Sequence, residues 1–152
     1  MKETLYCRML RYALYAVFVI GVFGTVSLPF MLDTYARVVH GLGAVPDEYR
    51  TFILPFLIMV ALPCLWIVLE MIRMLHSIPK GPFVMRNVHA LYRTGILFLA
   101  LSVAFIVKCF VFFTFLTLFC AFLFTGAGLF SFTLAALIKQ AAVFREENEL
   151  TI

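Results

Sequence analysis

The side chains able to do chemistry are few in this chain, and their spacing rules out most reaction types. His40, His76 and His89 are scattered and form no ligand pair with Cys7, Cys64, Cys109 or Cys120. The cysteines make no C-x-x-C pair and no Cys/His metal spacing. Three of them fall inside apolar stretches, where a thiol serves as a small hydrophobe, and no disulfide framework follows. There is no G-x-S-x-G elbow, no H-E-x-x-H helix, no phosphate loop and no carboxylate pair within an apolar run. Gly126 and Gly128 lack the strand-turn-helix setting of a dinucleotide fingerprint. The sequence therefore predicts no catalytic, cofactor-binding or metal-ligating residues, and a protein that is not an enzyme and needs no cofactor.

One constellation does stand out. Arg86, His89 and Arg93 recur at i, i+3 and i+7, which on a helix confines them to a stripe about 60° wide. Gly81-Pro82-Phe83 reads as the turn that launches this helix, with Pro82 suited to its first turn and Asn87 inside it. Such a stripe could attract lipid phosphates, an acidic partner or the chain's own end, Phe144-Arg145-Glu146-Glu147-Asn148-Glu149. Carboxylates at a helix C-terminus oppose the macrodipole, so Glu146, Glu147 and Glu149 are expected to contact the basic segment holding Arg73, Lys80 and Arg86. Glu70 and Arg73 are spaced as an i, i+3 ion pair. Lys108 interrupts an apolar tract, where an ionisable residue can mark a transport path. At a helix end it is expected to snorkel to the interface instead.

The elements that position these residues follow from composition. Of the 152 residues, 64% are hydrophobic and 13% charged, with a mean hydropathy of +1.07. A soluble domain is roughly half apolar and a quarter charged; a chain this short could not hide the excess without a bilayer. The net charge of +4 sits between apolar runs rather than in one patch, so direct nucleic-acid binding is not expected. A membrane helix needs about 20 apolar residues. Runs at 12–32 and 52–72 qualify; the first resembles a signal peptide but is too long and lacks a cleavage site. The tract from Gly95 to Ile138 would make a helix of about 66 Å, twice the hydrocarbon thickness, so it must turn between Lys108 and Thr117. That gives further helices at 91–107 and 118–140 and a tail from 141 to 152. Nine Lys and Arg flank one side and three the other, which by the positive-inside rule puts both termini in the cytoplasm. The expected fold is all-α, a single membrane domain in which four transmembrane helices form a bundle. Small residues at Gly21 and Gly24, and at Gly126, Gly128, Ser131 and Ala135, would let helices approach closely.

Gly81-Pro82-Phe83 with Asn87 and Leu91 to Gly95, and the ending Glu146-Glu147-Asn148 before Leu150-Thr151-Ile152, resemble the middle and C-terminal signatures of the family called domain of unknown function 2975. The resemblance implies a small bacterial protein of the inner membrane with four helices. Members are often encoded beside a small helix-turn-helix regulator, so it also implies a cytoplasmic transcription factor as partner. The interaction face expected on these grounds comprises Gly81, Pro82, Phe83, Arg86, Asn87, His89, Arg93 and Phe144 to Glu149. The alternative is a small transporter or channel subunit, acting as a homo-oligomer because four helices make only a narrow bundle.

Overall fold

The computed structural model describes residues 5–40, 47–77 and 85–149. They form four helices in chain order: α1 (Leu5–His40), α2 (Asp47–Ser77), α3 (Met85–Val111) and α4 (Phe115–Glu149). At 1.5 Å per residue these are about 54, 46, 40 and 52 Å long, each more than the roughly 30 Å hydrocarbon core. All four are long and apolar enough to cross a membrane.

Every helix outruns the apolar stretch that announced it. Helix α3 starts six residues before Leu91, at Met85, and so carries the whole basic stripe. Beyond Gly128, α4 contains neither Gly nor Pro and stays helical to Glu149, so residues 141–149 are helix rather than a separate tail. Nothing in the backbone chemistry of these flanks stops a helix once it has been nucleated by the span. Pro29, Pro55 and Pro63 lie inside helices that continue past them, as membrane helices allow.

The helices run alternately up and down. One end of the molecule gathers the start of α1, the end of α2, the start of α3 and the end of α4; it is called the polar end below. Near it Tyr15 of α1 meets His76 of α2 edge to face, with ring centroids 6.4 Å apart. There, too, Val88, Leu91 and Ala135 form a core against Met74, Leu134 and Ile138. At the opposite end Leu32, Ile53 and Phe56 pack on Leu57, Ala104, Phe105 and Phe112. The main interfaces are sequential, α1 on α2, α2 on α3 and, widest, α3 on α4. The arrangement is thus a row in which α1 is held by α2.

The α3–α4 contact is close because glycines permit it. A Cβ on Gly128 would stand 3.0 Å from the Leu99 side chain and 3.2 Å from the Gly95 carbonyl oxygen; one on Gly95 would stand 3.0 Å from the Phe132 ring. Ser131 and Ala135 continue that buried line along α4. Gly21 likewise meets Leu65, whereas Gly24 and Gly126 face open space. The outer surface is apolar: Phe23, Phe30, Phe110, Phe113, Phe115, Phe122 and Phe130 are all exposed, far more than water tolerates in one contiguous surface.

Gly128→Leu should therefore destabilise the protein by about 1–3 kcal/mol through overpacking, while Gly126→Leu, two residues away but facing outward, should leave stability almost unchanged. Thermal unfolding of the two variants in the same detergent checks this contrast.

Candidate functional site

The basic stripe of α3 faces the end of α2. Arg86, His89 and Arg93, with Asn87 and Ala90, form one wall of a cleft of about 420 Å³; Glu70, Arg73 and Met74 form the other. Two forces place them so. Met74 packs into the core made by Val88 and Leu91, which draws the two helices together. The Arg73, Arg86, His89 and Arg93 side chains are then left at the rim, while Glu70 is buried between the helices.

Within the cleft Arg73 Nη1 donates to Glu70 Oε1 at 3.3 Å, the i, i+3 pair expected from spacing. Its asymmetry was not expected. Glu70 is 5% exposed, whereas half of the Arg73 side chain is open to its surroundings. Arg73 also lies over the Trp66 ring, 5.8 Å from its centroid, a cation–π arrangement. His89 Nδ1 donates to the Met85 carbonyl at 2.8 Å; the carbonyl can only accept, so Nε2 is the nitrogen turned outward. Asn87 is buried, unlike Arg86, His89 and Arg93. It belongs to the floor of the cleft rather than to an exposed face.

A second groove, of about 560 Å³, lies between α3 and the end of α4 and is lined by Tyr92, Ala136, Lys139, Gln140, Val143 and Phe144. Phe144 is strongly exposed, as are Arg145 and Glu147. Among the described residues α4 contributes none to the cleft lining. Gly81, Pro82, Phe83 and Lys80, and the side chains of Glu146, Asn148 and Glu149, lie outside the described residues, and with them Lys80, Glu146 and Glu149 of the expected contact between tail and basic segment.

The chain matches no family model, no curated protein and no solved structure. Its function has therefore to be argued from its own residues.

The other polar cluster corrects an expectation. Lys108 does not snorkel outward. It is 1% exposed, its Nζ donates to Thr117 Oγ1 at 2.9 Å, and it lies over the Phe56 ring at 5.7 Å. The physical reason is the turn beside it. Helix α3 ends at Val111 and α4 starts at Phe115, so Thr117 comes back alongside Lys108 and offers an oxygen nearer than the interface. The Phe112 amide donates to the Lys108 carbonyl, and those of Thr117 and Leu118 to the Thr114 carbonyl. Two turns deeper, the Ser102 and Thr125 hydroxyls stand 2.7 Å apart and converge on the Ala121 carbonyl. Sequence reading missed Thr117, Ser102 and Thr125. The signal was present as Ser102 and Lys108 on α3 and Thr117 and Thr125 on α4, each pair about two turns apart, but it needs the position of the turn to be read. Among the described residues no group of three His, Cys, Asp or Glu could hold a metal ion.

Thr117→Val should cost about 1.5–3 kcal/mol, the worth of a hydrogen bond to a charged group. Lys108→Met should cost less, because it removes the buried charge together with the need to satisfy it. Unfolding midpoints in detergent for both single variants and the double variant would measure the coupling. Additive effects would contradict a direct interaction.

Proposed function

We propose that this is a non-enzymatic protein of the bacterial cytoplasmic membrane, with both termini inside, that binds a cytoplasmic protein at its polar end. A helix-turn-helix regulator is the partner that the resemblance to the domain of unknown function 2975 family implies. The observation that carries the proposal is the distribution of polar surface. Arg8 and Arg11 of α1, Arg73 and His76 of α2, Arg86, His89 and Arg93 of α3, and Lys139, Arg145 and Glu147 of α4 all belong to one end. The shafts between the ends present apolar side chains. A soluble partner has that end, and above all the groove beside Phe144, as its natural contact. Exposed Phe144 supplies an apolar anchor beside Lys139 and Gln140, the combination of aromatic anchor and polar rim that marks a protein-binding surface.

A small transporter or channel subunit has less support. The hydroxyls of Ser102, Thr117 and Thr125 and the Lys108 ammonium make hydrogen bonds within the α3–α4 seam, and so line no polar path.

Two experiments test the proposal. Reporter fusions placed after Thr114 and after Ile152 should give opposite sidedness, the second cytoplasmic; matching signals would refute the topology and the placement of the polar end. Affinity capture from native membranes should recover a helix-turn-helix regulator, and Phe144→Glu should reduce recovery at least tenfold while leaving membrane levels of the protein unchanged. Undiminished recovery would move the docking site away from the groove.

A further inference from the structure

We propose that the cleft between α2 and α3 is a binding site for the phosphate of an anionic phospholipid. The inference rests on the reading that the four helices span a bilayer, and not on the docking groove at Phe144. Three guanidinium groups, Arg73, Arg86 and Arg93, line the cleft against a single carboxylate, Glu70. That carboxylate is buried and already engaged by Arg73 at 3.3 Å. The first turn of α3 carries no acidic residue, so the positive end of the helix dipole adds to the arginines instead of being offset by its own helix. Among the described residues the cleft lining therefore carries an excess of about two positive charges.

The frame around the cleft selects a lipid over a soluble anion or an acidic peptide. Trp66 is half exposed and touches Arg73 through its ring face. Tyr15 packs edge to face on His76, one turn beyond Arg73. Trp and Tyr concentrate at the headgroup level of a membrane, so these rings set the cleft at the depth of lipid phosphates. Met74 of its lining is apolar and suits the glycerol end of a lipid better than a hydrated ion.

The test uses the full chain. Protein is reconstituted into phosphatidylcholine vesicles containing phosphatidylglycerol, insertion is checked by co-flotation, and the protein is then released into mild detergent for native mass spectrometry. The wild type should retain one phosphatidylglycerol in preference to phosphatidylcholine. Arg86→Gln/Arg93→Gln should weaken retention roughly twenty- to thirty-fold, since each basic residue near an anionic surface contributes about fivefold. Arg86→Lys/Arg93→Lys should keep most of it, and Arg37→Gln/Arg50→Gln, which removes the same charge at the opposite end of the molecule, should keep all of it. Equal retention of the two lipids, or undiminished retention by the Arg86→Gln/Arg93→Gln protein, would overturn the proposal. So would stronger protection of lipid-free protein by inorganic phosphate or an acidic peptide acting through these arginines. Failure to co-float would instead remove the membrane reading on which the site depends.

Discussion

In hydrocarbon there is no water to complete a hydrogen bond, so every polar group that enters must find its partner within the chain. The seam between α3 and α4 shows what that requirement demands. A tract with one charge among more than forty residues has to turn round, and the turn exposes backbone groups that a helix would have satisfied. The Phe112, Thr117 and Leu118 amides are taken up locally by carbonyls. The Lys108 ammonium sits in the last turn of α3, where a cation complements the helix dipole, and its hydrogen bond to Thr117 ties the first turn of α4 to it. Below it, Ser102 and Thr125 repeat the device with hydroxyls, and the close approach at Gly95 and Gly128 brings the two backbones near enough for both.

The rest of the molecule depends on this pair being firm. Helix α2 leans on α3 at two places, through Met74 at the polar end and through Ile53, Phe56 and their neighbours at the other. The first of these contacts lines up Arg73 and Glu70 with the stripe of α3 and so makes the cleft. Helix α1 rests on α2 and otherwise displays Ile20, Phe23, Val26 and Phe30 outward. The α3–α4 interface is the widest in the row, and the cleft lies at the narrower contact, between α2 and α3.

The four apolar helices were legible in the sequence because hydropathy alone reports them, and the interval for the turn was legible because Lys108 is the only charge in its tract. The helices part at Phe112–Thr114, within that interval. The direction of the Lys108 side chain was not legible. Snorkelling outward and bonding inward are both open to a long flexible chain, and the choice depends on which α4 residue the turn returns to it. The Glu70–Arg73 pairing could be read from spacing, but Glu70's burial is a property of α2 against α3, which spacing along one helix does not contain. The stripe of Arg86, His89 and Arg93 could be read as a stripe; its role as one wall of a cleft required knowing what faces it. Hydropathy marks only the apolar part of α4, to about Gln140, whereas the helix itself continues to Glu149 because the polar residues beyond include no helix breaker.

In the membrane setting proposed above, the tip of the α3–α4 hairpin bears on how the chain would enter the lipid. From Cys109 to Ile138 no residue bears a charge, and the three residues between the helices are Phe112, Phe113 and Thr114. Little hydrophilic cargo has to be carried across the lipid to reach the far side. Lys108 lies in the last turn of α3 rather than at its centre, and its hydroxyl partner is nine positions away in the same hairpin. The two helices can thus enter together as one wedge, with their seam already closed, instead of being threaded one after the other.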